Sequence, residues 1–402
     1  MLRRRELVAA SALLPFVARA QARPVIKIGV LNDMSGPYRD ATGTGSVVCV
    51  QAAVKEFASA GFDVQVIPGD HQNKPDVGAA LARQWYDRDG VDVIMDVPTS
   101  SVALAVNTVA KEKNKLYINT GAGTGDLTGS QCTPVTIHWS YDTFMLARST
   151  ASQVTKLGGD KWFFITADYV FGQQLARDAM RFAKEGGAQV LGERRYPFPA
   201  TADFSALLLD AKASGANVIA FANAGVDTSN AIKQAHEFGL FQSMKAAALL
   251  MEITDVEAVG TEIGGGLYLT ASYYWDQNDA TRKFAKTVQS NMPSRQPPNM
   301  IQAGCYAGAL HYLKAVAAMG VDKAREGTAI CAQMKAMPTS DDAFGQHKIR
   351  ADGLCLLPAY LYQVKTPAES TSRWDLQKLI ATTPADEAWK PLAEEGCALA
   401  PS

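Results

Sequence analysis

Short apolar runs and longer amphipathic segments alternate along most of the chain. From Val91 to Val97 the residues are mostly apolar and β-branched, as in a strand that is buried on both faces. Pro98 ends this run, the hydroxyl residues Thr99–Ser101 follow, and apolar residues then recur at helical spacing. The pattern predicts a strand, a turn and a helix, which together make half of a βαβ unit.

The same alternation predicts strands and helices over most of the remaining chain. The predicted strands are Val25–Leu31, Val64–Ile67, Val91–Val97, Leu116–Asn119, Trp162–Thr166, Gln189–Tyr196, Val218–Ala222, Ala246–Leu250, Leu267–Thr270 and Tyr360–Val364. The predicted helices include Ser46–Ala60, Asp76–Asp87, Phe144–Leu157, Asp203–Ser214, Asp279–Ser290, Ile301–Met319 and Asp322–Met337. Residues 132–142 are expected to be irregular, and residues 366–402 carry little pattern.

The order of strands and helices starts again after residue 142. The strands that begin at Val25, Val64, Val91 and Leu116 have counterparts about 130 residues later, near Trp162, Gln189, Val218 and Ala246. Such a repeat predicts an α/β protein with two doubly wound parallel-sheet lobes in tandem. One large sheet is the weaker alternative because the order restarts after a break.

Length and charge agree with a two-lobed globular protein. A chain of 402 residues is long for a single core. The formal net charge is −1 and there is no basic block, so a nucleic-acid partner is not expected. No apolar run is long enough for a membrane span in the mature protein.

The N-terminus has the composition of a bacterial export signal. Arg3-Arg4-Arg5 precedes the apolar stretch Leu7–Val17, and small residues at Ala18–Ala22 offer cleavage sites. We therefore expect residues 1–22 to be removed and the mature protein to lie in the periplasm. Arg4-Arg5 also resembles the twin-arginine pattern, and the choice between the two export routes stays open.

Six cysteines lie far apart, with no pair at metal-ligand spacing. In an exported chain they are expected to form disulfides rather than a metal site, and their spacing does not fix the pairing. Signatures of nucleotide binding, nucleophile elbows and zinc proteases are absent from the sequence. We expect no catalytic residue, cofactor or metal.

Polar or aromatic turns follow five of the predicted parallel strands. They are Ser35–Tyr38, Thr99–Ser101, Thr120–Thr124, Asp168–Phe171 and Asn223–Asp227. The carboxyl ends of parallel strands form the ligand edge of an open sheet, so all five turns are expected to face one crevice. Hydroxyls and free N–H groups at a helix start also suit an anion, although a single such turn is more often a simple N-cap.

Three motifs of the chain, Ile28–Tyr38, Asp168–Gly172 and Ala202–Phe204, resemble parts of type I periplasmic solute-binding proteins, the leucine/isoleucine/valine-binding family of ABC importers. The stretch Ile28–Tyr38 is similar to the opening of that family. Asp168–Gly172 resembles its second-lobe turn, and Ala202–Phe204 the segment that follows. The resemblance implies two lobes joined by a hinge of three crossings, which close on a ligand that an inner-membrane ABC permease then accepts.

The resemblance also implies lobe limits and a disulfide. Residues 23–142 with 277–357 are predicted to form the first lobe, and residues 143–276 with 358–381 the second. Residues 382–402 are predicted to form a C-terminal tail. The implied disulfide pairs Cys132 with Cys397 and ties this tail to the first lobe.

Transferred position by position, the family's carboxylate-binding hydroxyls fall on Thr99, Ser100 and Ser101. Its second carboxylate-binding turn falls on Thr120–Thr124, where a glycine takes the usual threonine position. Its aromatic wall matches Phe171. Its ammonium-binding acid aligns with Met251, and Glu252 takes that place only after a shift of one residue.

Residues and resemblance together predict a ligand site. Its members are Tyr38, Thr99, Ser100, Ser101, Thr120, Gly121, Ala122, Thr124, Tyr169, Phe171, Asn223, Asp227, Tyr273 and Trp275. Because the ammonium-binding acid is displaced, a small aromatic or hydrophobic carboxylic acid is favoured over a branched-chain amino acid. The predicted protein is a monomeric solute-binding component of an importer. The alternatives are a ligand-sensing receptor subunit of the same fold and, more distantly, an exported oxidoreductase or hydrolase.

Overall fold

A computed structural model describes residues 23–58, 61–199 and 201–399. The predicted export signal, residues 1–22, lies outside the described residues. Within the described part of the chain, no helix combines the length and apolarity needed to cross a bilayer.

Twelve strands of the described chain form two sheets. The first sheet contains β1 (Val25–Asn32), β2 (Asp63–Asp70), β3 (Val93–Asp96), β4 (Leu116–Asn119) and β5 (Thr136–His138). The second contains β6 (Lys161–Ala167), β7 (Gln189–Tyr196), β8 (Val218–Ala222), β9 (Lys245–Ala248), β10 (Tyr268–Ala271), β11 (Ala359–Val364) and β12 (Gln377–Thr383).

Fifteen α-helices of the described chain flank these sheets. They are α1 (Gly43–Phe57), α2 (Pro75–Gln84), α3 (Ser100–Lys113), α4 (Thr143–Lys156), α5 (Val170–Glu185), α6 (Ser205–Ala213), α7 (Val226–Glu237), α8 (Ile253–Val259), α9 (Thr261–Gly264), α10 (Asp279–Gln289), α11 (Met300–Met319), α12 (Val321–Ala324), α13 (Gly327–Ala336), α14 (Ala385–Ala388) and α15 (Leu392–Glu395). In the first lobe α1 packs on α11 and α2 packs on α3; in the second, α4 packs on α5.

The two sheets confirm the repeat that the sequence predicts. The first sheet has the order β2-β1-β3-β4-β5, and the second contains the equivalent run β7-β6-β8-β9-β10. All neighbours within these two runs are parallel, whereas β11 and β12 add antiparallel strands at one edge of the second sheet. The fold is therefore two doubly wound α/β lobes, and the carboxyl ends of their parallel strands carry the loops that matter for function.

Before its C-terminal tail, the described chain passes between the two lobes three times. It leaves the first sheet after β5, returns after β10 to α11, and crosses again from the bridge at Leu354 to β11. After β12 the tail comes back to the first lobe, where Cys397 forms a disulfide with Cys132 at a Cα–Cα distance of 5.6 Å. This disulfide confirms the pairing implied by the resemblance. The predicted lobe limits stay a proposal.

Three of the differences from the sequence prediction have a clear physical reason. The segment expected to be irregular contains β5, which has only three residues and so gives little periodicity. Strand β12 lies at a sheet edge with Leu379 and Ile380 exposed, so its buried face leaves no clear pattern. The helix predicted over Asp322–Met337 is divided into α12 and α13, because Gly327 donates its N–H to the carbonyl of Asn114 at 2.8 Å.

Candidate ligand-binding cleft

A cavity with about 400 Å³ of empty space, its mouth included, lies where the loops of the two lobes meet. The first lobe contributes Tyr38, Ala41, Thr42, Pro98, Thr99, Ser100, Gly121, Ala122, Gly123 and Ile301, and Tyr141 comes from the first crossing. The second lobe contributes Tyr169, Phe171, Ala224, Gly225, Leu250, Glu252 and Asp255. Thus the turns after β1, β3, β4, β6, β8 and β9 all reach one place, as the edge rule predicts.

The start of α3 presents hydrogen-bond donors to the cavity. Thr99 is the N-cap residue, and its hydroxyl donates to Oδ1 of Asn73. The Ser100 hydroxyl is buried without a hydrogen-bond partner. The first N–H groups of a helix have no partner inside the helix and carry its positive dipole end. A carboxylate placed here would satisfy both the hydroxyl and these N–H groups.

Close packing explains why glycine occupies two positions in the turn after β4. A Cβ atom on Gly121 would lie 2.4 Å from Oδ1 of Asp96. On Gly123 it would lie 2.8 Å from ring atoms of both Phe171 and Tyr141. A threonine, the usual residue of this turn in the family that the sequence resembles, would therefore collide with these neighbours. At Gly123 the space is occupied by the rings of Phe171 and Tyr141.

Aromatic residues of both lobes meet across the cleft. The hydroxyls of Tyr38 and Tyr169 are 2.5 Å apart, and the ring of Phe198 stacks on each, with centroid distances of 5.7 and 4.4 Å. The N–H of Val226 donates to the carbonyl of Pro37 at 3.4 Å. The contacts of Tyr38 with Tyr169 and Phe198, and the bond of Val226 with Pro37, connect the two lobes across the cleft.

Two acidic residues line the second-lobe side of the cavity. Glu252 is the N-cap residue of α8 and forms a capping box with Asp255, in which the N–H of Glu252 donates to Asp255 at 2.9 Å. Oε1 of Glu252 is buried and has no hydrogen-bond partner. Burial, with repulsion from Asp255 second, raises the pKa of Glu252 to about 8. Burial likewise raises the pKa of Asp255 to about 6.

Seven of the predicted site residues line the cavity. They are Tyr38, Thr99, Ser100, Gly121, Ala122, Tyr169 and Phe171. Ser101, Thr120 and Thr124 lie beside the lining but are not part of it. Thr120 donates instead to Oδ1 of Asp96 at 3.1 Å, and Thr124 accepts from the N–H of Asp126.

Four predicted residues are placed elsewhere by the fold. Asn223 accepts from Thr228, and Asp227 accepts from the hydroxyl of Tyr196 at 3.0 Å, so both lie behind the turn that lines the cavity. Tyr273 packs with Phe284 and Phe344, and Trp275 donates to the carbonyl of Trp374. Both Tyr273 and Trp275 belong to the segment that follows β10, away from the lining.

Sequence reasoning missed several lining residues. Tyr141 follows the short strand β5, and Ile301 lies on α11, far along the chain from the turns that it meets. Neither residue belongs to a local sequence pattern that would predict its place in the cavity. The acidic pair does carry one, because Glu252 and Asp255 have the spacing of a capping box. Met251, on which the alignment placed the acid, is not in the lining.

Comparison with known proteins agrees with this architecture. A family model described as periplasmic binding protein matches residues 25–371. The crystal structure of a periplasmic binding protein from Burkholderia mallei is 44% identical, with a TM-score of 0.89 over 93% of this chain and 99% of that one.

A branched-chain amino acid ABC transporter periplasmic ligand-binding protein from Burkholderia xenovorans is 36% identical. Its TM-score is 0.82 over 93% of this chain and 99% of that one. Leu/Ile/Val-binding protein homolog 6 of Brucella abortus is 26% identical over 324 residues, which are 78% of this chain and 81% of that protein. By the family model and by these similarities, the chain belongs to the periplasmic binding proteins of ABC transporters.

Proposed function

We propose that this protein is the solute-binding component of an ABC importer and that its ligand is an α-amino acid with an apolar or aromatic side chain. Family membership implies a periplasmic location, a small ligand and a membrane permease as partner. The Burkholderia xenovorans relative is described as part of a branched-chain amino acid transporter, which supports the amino-acid class.

One observation carries the ligand class: each lobe brings an unpartnered polar atom to the same cavity. The first lobe supplies the Ser100 hydroxyl at the start of α3, and the second supplies Oε1 of Glu252. A hydroxyl beside free N–H groups is suited to a carboxylate, and a buried carboxyl group is suited to an ammonium. A zwitterion presents both groups at once.

This proposal replaces the ligand preference drawn from the sequence. That preference rested on the displacement of the ammonium-binding acid, whereas Glu252 lies in the lining. A buried ionised carboxylate without a cation costs several kcal/mol. An aromatic acid without an ammonium therefore fits only if Glu252 is protonated.

An aromatic carboxylic acid is the second candidate, for a specific reason. The pKa of Glu252 is about 8, so much of the ligand-free protein carries a protonated Glu252 at neutral pH. In that form Glu252 donates a hydrogen bond. The rings of Tyr141, Tyr169 and Phe171 then supply the apolar wall that a benzoate-like body needs.

Matched ligand pairs test the proposal. Protein unfolded, dialysed and refolded to remove copurified solute is titrated by calorimetry with L-phenylalanine and with 3-phenylpropionate, which lacks only the ammonium. L-leucine and benzoate complete the panel. We expect the amino acids to bind at least tenfold more tightly than the acids. Tighter binding of 3-phenylpropionate and benzoate would favour the second candidate.

The role in import needs a separate measurement. A host strain that lacks this protein is expected to lose uptake of the radiolabelled ligand and to recover it with the wild-type chain. Normal uptake together with a lost transcriptional or chemotactic response would instead support the receptor-subunit alternative. Turnover of the bound compound would support the enzyme alternative.

A further inference from the structure

Directly below the cavity, one carboxyl group joins the loops of the first lobe. Asp96, the last residue of β3, is completely buried. Its Oδ2 accepts from Nδ2 of Asn32 at 2.7 Å, and its Oδ1 accepts from the hydroxyl of Thr120 at 3.1 Å. Its own carbonyl accepts from the N–H groups of Thr120 and Gly121 at 3.3 and 3.4 Å.

These bonds reach three turns of the cavity lining. Through Asn32, which also donates to the carbonyl and accepts from the N–H of Gly43, Asp96 is linked to both ends of the turn after β1. Through Thr120 and Gly121 it is linked to the turn after β4. Its own position opens the turn after β3. Together these turns supply nine of the residues that line the cavity.

The backbone around Asp96 has an unfavourable conformation. Asp96, Val97 and Thr99 have φ values of +76°, +58° and +78°, although none is a glycine. Positive φ is a genuine outlier for a β-branched residue, and each such residue costs about 1–3 kcal/mol. The surrounding residues must therefore hold this turn in place. The hydrogen bonds of Asp96 contribute to this, and they also connect the turn after β3 to the turns after β1 and β4.

The chemistry of the partners matches an acid at this position. The Nδ2 group of Asn32 is a donor, and the hydroxyl of Thr120 donates in the observed geometry. An ionised carboxylate is an acceptor only and so matches both. Burial raises the pKa of Asp96 and the surrounding donors oppose this rise, which leaves the pKa at about 6, so the group is mostly ionised at pH 7.

We propose that Asp96 is a positioning residue, which holds the turns after β1, β3 and β4 in one arrangement before the ligand arrives and thereby sets the affinity of the first-lobe half of the site. The proposal rests on the proposed function only in that the cavity binds a solute. Asp96 touches no ligand itself, because it is not part of the lining.

Hydrogen exchange of the ligand-free protein tests the connection without a known ligand. In Asp96→Ala we expect at least tenfold faster exchange in residues 33–43, 97–101 and 120–124 together. Asn107→Ala is the matched control: Asn107 lies in the same lobe, is 2% exposed, and is hydrogen bonded to Gln131 and Thr136 at 2.8 and 2.6 Å. It should leave exchange in the three turns unchanged.

Two further variants keep the test decisive if Asp96→Ala does not fold. In Asp96→Asn the amide oxygen accepts from Asn32 while the NH2 group donates to the Thr120 hydroxyl, so exchange should stay near that of the wild type. Thr120→Val removes one donor and should loosen the turns after β3 and β4. Faster exchange confined to residues 96–101, or equal effects of Asn107→Ala, would overturn the proposal.

Binding then supplies a second readout. With L-leucine and L-phenylalanine as probes, Asp96→Ala is expected to lose at least tenfold in affinity, Asp96→Asn less than threefold, and Asn107→Ala less than twofold. An affinity for either probe within twofold of wild type in Asp96→Ala would overturn the proposal. If the wild type binds neither probe, the proposed function fails while the exchange experiment still decides the role of Asp96.

Discussion

The two halves of the cavity differ in the polar groups that they present to a ligand. In the first-lobe half most hydroxyls already have partners: Thr42 donates to the carbonyl of Tyr38 at 2.9 Å, and Thr99 donates to Asn73. The Ser100 hydroxyl has no hydrogen-bond partner. In the second-lobe half, Glu252 is buried with an unpartnered oxygen and a pKa of about 8. The first-lobe half therefore presents neutral hydrogen-bond donors, whereas the second-lobe half presents an acid whose Oε1 has no partner.

This difference suggests how the site discriminates between classes of ligand. The Ser100 hydroxyl and the free N–H groups at the start of α3 suit any small carboxylate, because these donors need no change of protonation. A buried acid with a raised pKa favours only a ligand that brings a cation or accepts a proton, because leaving it ionised and alone is costly. For the proposed zwitterionic ligand we therefore expect affinity for the anion to come mainly from the first lobe, and specificity mainly from the second.

Replacing Glu252 should have the largest effect. Glu252→Gln keeps the size and removes the charge, so the affinity for L-phenylalanine should fall by about 2–5 kcal/mol, the usual cost of truncating a buried charge pair. Calorimetry measures this loss. The matched control is Asp227→Asn, since Asp227 is also a buried second-lobe acid but lies outside the lining. Equal losses in both variants would contradict the assignment.

The pH dependence of binding should come next in size. An ammonium stabilises the ionised form of Glu252, so binding below its pKa of about 8 releases a proton. Affinity for L-phenylalanine should therefore rise about 15-fold in total from about pH 6.5 to 8 and then level off. Affinity for 3-phenylpropionate should instead fall above pH 8. Glu252→Gln should remove both trends, and a flat profile for the wild type would count against the zwitterion.

Two adjacent serines test which hydroxyl of the first-lobe half binds the ligand. Ser100 lines the cavity and Ser101 does not, although both were predicted to bind. Ser100→Ala should weaken binding by roughly 1–3 kcal/mol, the value of a hydrogen bond to a charged group. Ser101→Ala should change the affinity by less than about twofold. Comparable losses in both would show that the whole turn, and not one hydroxyl, holds the carboxylate.

The aromatic contact between the lobes should have the smallest effect. Phe198 stacks on both Tyr38 and Tyr169 but lies outside the lining. Only its pair with Tyr38 crosses between the lobes, so Phe198→Ala should remove about 0.5–1.5 kcal/mol from the closed form. Stopped-flow measurements should then show faster ligand release at an unchanged association rate. Phe241→Ala, a partly buried second-lobe aromatic far from the cleft, is the control. An unchanged release rate would exclude this closing role.

The sequence determined most of the fold because the alternation of apolar and polar residues is a local property. Strands β4, β7 and β8 have the bounds that the pattern predicts, and the repeat of the pattern predicts the two lobes. Strand β5 is too short to show a period, and β12 is a half-exposed edge strand. Their positions are decided by pairing with distant strands, which no local pattern contains.

The same division applies to the candidate site. Thr99, Ser100 and Tyr169, which the sequence predicts for the site, line the cavity because strand–turn–helix order places them at the ligand edge of a sheet. The order cannot say which residues of a turn face the cavity, so Ser101, Asn223 and Asp227 were included although the fold places them outside the lining. Only the closed packing of two lobes brings Ile301, Tyr141 and Glu252 to one cavity, because their meeting depends on side-chain volume and lobe orientation rather than on spacing along the chain.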